Sequence, residues 1–372
     1  MFEELIIPAE LLPEDGRFGS GPTKVPVDFL DKLRETGKSI LGNSHRNDNI
    51  LNLVKDCQEK LKKYLSVPDE YDILLGNGGA SIMWEMLAFS AIKEKSAHFT
   101  CGEFSSKWHS LTKATPWLKT EKFESGYGEL PKLEYEGNAD LLCITQNETS
   151  TGVMIPQCPN FPGNPLLAVD ATSIAGVTRW DWDKTDLYYF SLQKAFGSEG
   201  GLFFAIASPR FIERVSEVKA TNRYIPSMLS IDDVISNSRK NQTLNTPAIS
   251  TLFFFNCALD ELLSRGGVSA IQKSSQEKAG LVYGFAENSK YTSPYVKQNE
   301  LRSLSVATID ISDEIPAEDL VKVMRRHGVV DINSYRKLGR NQIRLGLFPF
   351  ITKSDVEKLI SSLDFVLNSI NQ

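Results

Sequence analysis

Between about residues 70 and 207, short apolar runs alternate with helix-forming segments. The runs lie at 72–75, 97–100, 141–145, 166–169, 187–191 and 202–207. Most are continuously apolar and not alternating, the pattern of strands covered on both faces of a largely parallel sheet. Between the first two, Ser81-Ile82-Met83-Trp84-Glu85-Met86-Leu87-Ala88-Phe89 reads as a helix. This order predicts an α/β layered domain with a mainly parallel, helix-covered sheet and ligand sites at the strand C-terminal ends.

The pattern changes beyond residue 245. Thr246 suits an N-cap and Pro247 a first helical position, so a long helix is expected from there to about Ser264. It ends near Gly266-Gly267, and a second helix follows to about residue 287. Residues 303–311 alternate like a half-buried strand, 316–327 form an amphipathic helix closed by Gly328, and 342–347 form a further strand. Ser354-Asp355-Val356-Glu357 reads as a capping box opening the last helix. The expectation is a large domain over 16–265 and a smaller C-terminal α+β domain over 266–372, with residues 1–15 packing on the latter.

The chain has 372 residues, enough for two domains and a large core. A net charge of −6 argues against nucleic acid or an anionic membrane as main partner. No apolar run approaches the roughly 20 residues of a membrane span. The start, Met1-Phe2-Glu3-Glu4-Leu5-Ile6-Ile7-Pro8, lacks the positive region of a secretory signal. The five cysteines are scattered, with no Cys-x-x-Cys and no histidine cluster beside them. They read as reduced thiols of a cytoplasmic protein with no metal site.

Within this frame the chemistry concentrates at a few strand ends. Leu187-Tyr188-Tyr189-Phe190-Ser191-Leu192-Gln193-Lys194 brings an amine to the end of one run, and Leu166-Leu167-Ala168-Val169-Asp170 brings an acid to the end of another. A lysine and an acid on adjacent strand ends are what pyridoxal phosphate needs: the lysine forms a Schiff base with its aldehyde, and the acid pairs with its ring nitrogen. A surface lysine and a capping aspartate would give the same pattern. In Gly76-Asn77-Gly78-Gly79-Ala80-Ser81 a strand runs through glycines into a helix, a place for one phosphate or simply a tight turn. Phe104 follows a strand and could stack on a ring or belong to the core. Asn147-Glu148-Thr149-Ser150-Thr151-Gly152 offers polar groups that also suit a turn. Arg344 sits inside an apolar strand, where an unpaired charge is costly and a carboxylate is a fitting partner. Ser44-His45-Arg46 and Tyr335-Arg336-Lys337-Leu338-Gly339-Arg340 are further basic stretches.

Taken in order, Gly19-Ser20-Gly21-Pro22, Ser44-His45-Arg46, Gly78-Gly79-Ala80, Asn147-Glu148-Thr149, Asp170-Ala171-Thr172, Gln193-Lys194, Asn245-Thr246-Pro247 and Arg344 resemble the phosphoserine aminotransferase family, class V aminotransferases of the fold-type I pyridoxal-phosphate enzymes. The resemblance covers nearly the whole chain. It implies transamination between phosphoserine/2-oxoglutarate and 3-phosphohydroxypyruvate/glutamate in serine synthesis, and the analogous step toward pyridoxine as a second role. It implies one pyridoxal phosphate per subunit, a homodimer, and the following residue roles. Lys194 carries the cofactor and moves the proton, and Asp170 pairs with the ring nitrogen. Phe104 stacks on the ring. Thr149, Thr172 and Gln193 line it. Gly79, Ala80 and Ser81 cradle the phosphate, with Asn245 and Thr246 reaching it from the other subunit. Arg344 holds the substrate carboxylate, while His45, Arg46 and Arg336 hold its phosphate. Two departures stand out: Ala80-Ser81 occupy positions where many relatives have an arginine, and Tyr335 one where many have histidine. Lys337 and Arg340 are candidate replacements. The alternative under the same fold is an alanine–glyoxylate type aminotransferase, against which the basic stretches argue. A cysteine desulfurase is disfavoured because Cys257, in the apolar run Phe253-Phe254-Phe255-Asn256-Cys257, reads as inert core.

Overall fold

The continuous apolar runs become the strands of one seven-stranded sheet. The computed structural model describes residues 5–163 and 165–369. In chain order the strands are β1 (Asp72–Asn77), β2 (Lys95–Thr100), β3 (Lys119–Glu124), β4 (Leu141–Thr145), β5 (Asn147–Glu148), β6 (Val153–Met154), β7 (Leu166–Asp170), β8 (Leu187–Ser191), β9 (Leu202–Ala207), β10 (Thr292–Pro294), β11 (Val306–Ile311) and β12 (Gln342–Gly346). The helices are α1 (Val27–Ile40), α2 (Asp48–Leu65), α3 (Ile82–Ser90), α4 (Glu103–Ala114), α5 (Pro209–Ala220), α6 (Ile231–Ser238), α7 (Ile249–Ser264), α8 (Gly267–Asn288), α9 (Ala317–Arg326) and α10 (Lys353–Asn368).

The large sheet runs in the order β1-β9-β8-β7-β4-β2-β3. Its pairs from β8 to β3 are parallel, and β9 runs against both its neighbours. β1, β8, β7, β4 and β2 therefore point the same way, and their C-terminal ends share one edge. Every residue of β4, β7, β8 and β9 is buried. The two faces pack different layers. Leu142 and Ile144 join the cluster containing Cys57 of α2 and Phe255 of α7, while Leu141 and Cys143 join that of Met83 on α3 and Phe211 on α5. This is why an alternating pattern is missing from these strands.

Three expectations are corrected. The strand β3 was not foreseen: Lys119-Thr120-Glu121-Lys122-Phe123-Glu124 is polar because it is an edge, paired with β2 alone. Thr246 does not cap α7. The helix begins at Ile249, with Ala248 as N-cap in extended backbone, and the Thr246 hydroxyl instead meets His45 Nδ1 at 3.2 Å. The last helix is capped by Thr352, not Ser354. Its Oγ1 accepts the Asp355 amide at 3.0 Å and donates to the Asp355 carboxylate at 2.7 Å, so the box stands two residues earlier.

A second sheet, β10-β11-β12, is antiparallel. The cluster on it unites Ile309, Leu345, Met324 of α9 and Leu359 of α10 with Ile7 and Phe18 from the chain start. The N-terminal segment threads into this sheet region: Phe18 accepts from the Gly346 amide at 2.7 Å, and Val330 donates to Gly16 at 2.8 Å. That passage delivers Ser20 and Gly21 to the edge where the large sheet's strands end.

Candidate active site

Five parallel strands end on one cavity of about 370 Å³. β1 leads into Gly79, Ala80 and Ser81, β2 into Phe104 and Lys107 on α4, and β4 into Asn147 and Thr149. β7 ends at Asp170, and β8 at Ser191 followed by Gln193 and Lys194. Both the size and the placement are those of a small-molecule site in an open α/β sheet.

Lys194 donates to the carbonyl of Ser20 at 2.9 Å. Burial, with the Arg344 charge nearby, lowers its pKa to about 8, and Asp170 offsets this in part. Gly21 explains the close passage of the N-terminal segment. Its φ is +126°, and a Cβ there would fall 1.9 Å from Lys194 Nζ.

Asp170 is 4 % exposed. Oδ1 accepts from the Thr172 amide at 3.0 Å and hydroxyl at 2.5 Å, and Oδ2 accepts from Trp84 Nε1 at 3.0 Å. Burial raises its pKa, and these three donors offset part of that. Among the described residues it makes no ion pair. A buried carboxylate at a cavity wall with no ion-pair partner fits a ligand that brings a cation to it. Gln193 Oε1 is likewise buried without a hydrogen-bond partner.

At the α3 N-terminus, the Ala80 amide donates to Ser191 Oγ at 2.5 Å. The Gly79 and Ser81 amides have no partner among the described residues. Free amides at a helix start suit an anion.

Arg344 on β12 enters from the second sheet. Its Nη1 donates to the Thr149 carbonyl at 3.0 Å, and its Nε is buried without a partner. The guanidinium lies 5.3 Å from the Tyr335 ring centre. Burial lowers its pKa, yet an arginine remains charged. Thr149 also donates from Oγ1 to Ser173 at 2.8 Å.

Other predicted residues stand apart from the cavity within this chain. Arg336 is exposed on a separate depression with Asn333 and Arg340. His45, Arg46, Asn245 and Thr246 cluster on a different rim. There Asn77 donates to the Thr246 carbonyl at 3.1 Å and accepts from the Asn245 amide at 3.2 Å. The candidate replacements are both engaged: Arg340 forks onto Asp310 at 2.8 and 3.1 Å, and Lys337 pairs with Glu103 at 2.7 Å.

Trp84 and Ser191 also line the cavity, beyond the residues that the sequence pattern singles out, and Glu148 of the predicted polar stretch supports its wall. Glu148 is fully buried and accepts from the Phe104 and Ser105 amides at 3.2 and 2.9 Å and from the Ser105 and Ser150 hydroxyls at 2.9 and 2.6 Å. It caps α4 from β5 and thereby sets Phe104 in the cavity wall. The signal for Trp84 was available: on a helix opening at the glycine loop, it lies one turn in, facing the strand ends.

A reactive lysine, a buried acid on the adjacent strand and a helix start with free amides together define a pyridoxal-phosphate type of site. The aminotransferase class-V family model matches residues 17–359, and the chain belongs to that family. It is 42 % identical to the phosphoserine aminotransferase of Rhodococcus opacus over 98 % of both chains. Among solved structures it is similar to a phosphoserine aminotransferase of Cytophaga hutchinsonii, with TM-score 0.87 and 25 % identity over 94 % of this chain and 99 % of the other. It also shares its fold with a pyridoxal-phosphate-bound phosphoserine aminotransferase of Trichomonas vaginalis, with TM-score 0.83 and 20 % identity over 94 % of this chain and 100 % of the other.

Proposed function

We propose that this chain is a pyridoxal-phosphate-dependent aminotransferase that interconverts phosphoserine and 3-phosphohydroxypyruvate, with glutamate and 2-oxoglutarate as the other pair, in serine biosynthesis. The observation that carries the reading is the convergence of Lys194, Asp170 and the Gly79–Ser81 amides on one cavity. The full-length similarity to curated phosphoserine aminotransferases supports the substrate. When bound, the cofactor supplies an electron sink for the bond broken at the substrate Cα.

This chain's residues do the rest. Asp170, steadied by Trp84 and Thr172, would pair with the ring nitrogen and keep it charged. The Gly79 and Ser81 amides would hold the cofactor phosphate, and Phe104 would stack on its ring. Arg344, with a free buried Nε, forks onto the substrate carboxylate and orients the Cα–H bond. Lys194 then takes and returns the proton at Cα, a step suited to an amine whose pKa lies near neutrality. His45, Arg46, Asn245 and Thr246, grouped on one rim, serve the site of a second copy, so the working unit is a homodimer. Arg336 completes the substrate-phosphate group. The five cysteines are free and buried, and no helix among the described residues is long and apolar enough to cross a membrane. The free, buried thiols support a cytoplasmic enzyme.

The test is a titration of the cofactor-loaded protein with phosphoserine and, separately, alanine, followed by visible absorbance. The expected result is loss of the cofactor-aldehyde band with phosphoserine at concentrations where alanine leaves it in place. Equal response to both removes the phosphorylated substrate and favours an alanine-type enzyme. No band after adding cofactor removes the aminotransferase reading altogether.

The lysine pKa makes a second prediction. The neutral amine attacks the cofactor aldehyde, and lowering its pKa to about 8 makes roughly a tenth of it neutral at pH 7. Capture of pyridoxal phosphate by cofactor-free protein should therefore speed up about tenfold per pH unit below 8 and level off above it. Stopped-flow absorbance reads this directly. A rate still climbing at pH 10 would mean an ordinary, exposed lysine.

A further inference from the structure

The proposed substrate carries an anion at each end, so the site needs a cation for each. Within the cavity wall, the cationic side chains among the described residues are Lys194 and Lys107. Lys194 is committed to the cofactor. Arg344 reaches in from β12 with its free Nε and serves the carboxylate.

Lys107 lies on α4, three residues after Phe104 and four after Glu103, so all three share one helix face. Its ammonium sits 5.1 Å from the Phe104 ring centre and 5.9 Å from that of Tyr335, and it donates to the Tyr335 hydroxyl at 3.2 Å. Glu103 is its neighbour at 3.6 Å, but that carboxylate is held more closely by Lys337 at 2.7 Å. Two lysines flank one glutamate, so the rim keeps a net positive charge. Arg344 lies near the same ring, 5.3 Å from its centre. Tyr335 thus neighbours two cations, Lys107 and Arg344, while Arg340 is spent on Asp310.

We propose that Lys107, seated on the Phe104 and Tyr335 rings at the cavity wall, is a further cation that receives the phosphate of the substrate, beside the His45, Arg46 and Arg336 group, and so sets part of the specificity for it. The inference rests on the phosphoserine reading above. Tyr335 supports Lys107 by accepting from its ammonium at the hydroxyl. The ammonium is a compact point charge with three donors, suited to a phosphate that arrives at the cavity mouth. Its side chain is partly exposed, so it meets the phosphate at the boundary between cavity and solvent.

The experiment compares kcat/KM for phosphoserine and for alanine, which has no second anion, in the cofactor-loaded wild type, Lys107→Gln and Lys107→Arg. In Lys107→Gln the phosphoserine-to-alanine ratio should fall about ten- to a hundredfold, the range for losing one hydrogen bond to a charged group. Lys107→Arg should restore most of it. A ratio unmoved in Lys107→Gln, whether or not both rates drop together, overturns the inference while leaving the phosphoserine reading in place. A wild type that does not prefer phosphoserine overturns both.

Discussion

Lys194→Ala is expected to lose transamination by at least about four orders of magnitude while keeping its fold. The amine has no substitute in the cavity wall for proton transfer, since Lys107 is held on Phe104 and Tyr335. General acid–base catalysis alone accounts for about 10²–10⁴ in rate, and covalent attachment of the cofactor is lost as well. The fold should survive because the removed amine makes one hydrogen bond, to the Ser20 carbonyl, and its removal relieves the burial that lowers its pKa. The measurement is a single-turnover reaction with phosphoserine and excess cofactor, beside circular dichroism of the same sample. A variant that folds and still transaminates at the wild-type rate would show that this lysine is not the reacting amine.

Asp170→Asn should cost about two to nearly four orders of magnitude in the same assay. The reasoning runs through charge, not shape. In the liganded site the carboxylate faces a ring cation in a buried setting, and removing one member of such a pair costs about 3–5 kcal/mol. At 1.36 kcal/mol per tenfold this gives the stated range. The three hydrogen bonds to Asp170 come from donors, Trp84 Nε1 and the amide and hydroxyl of Thr172. The asparagine NH₂ must face one of them, so positioning suffers along with charge. Cofactor should also wash out of the variant on gel filtration while the wild type retains it. A variant within tenfold of wild type would remove Asp170 from the ring nitrogen and leave it as a capping residue of the strand end.

How much of this was legible beforehand follows from where each residue sits in the chain. Strands β4, β7, β8 and β9 were visible because burial on both faces leaves an unbroken apolar run. β3 was invisible because an edge strand with one neighbour tolerates lysine and glutamate. The α7 start was misplaced because Thr246-Pro247 satisfies the local rule for a helix opening. Contacts with Asn77 and His45 across the fold claim Thr246 and its neighbour Asn245 instead. The cap of α10 was misread for the opposite reason: two overlapping local patterns compete, and the pair that also ties down Asp15 wins, its amide donating to Asp355 at 3.2 Å.

The sequence by itself placed the candidate groups at strand ends, and its ordered motifs pointed to the class of site. Lys194, Asp170 and the Gly78–Ser81 loop each stand at the end of an apolar run, and parallel strands connected by helices can bring such ends to one edge and nowhere else. It also determined the charge character and the continuous-run core. What the tertiary structure alone decided is which polar groups meet. Trp84 finds Asp170 from 86 residues away, Ser20 finds Lys194 from 174, Glu148 caps a helix 44 residues upstream, and Arg344 reaches Thr149 across 195. It decided too that Arg340 and Lys337 are spent on nearby acids while Lys107 stands at the cavity. Helix and strand periodicity describe neighbours within an element. A hydrogen bond or ion pair between elements depends on distances of a few tenths of an ångström that packing sets, and no local pattern carries that information.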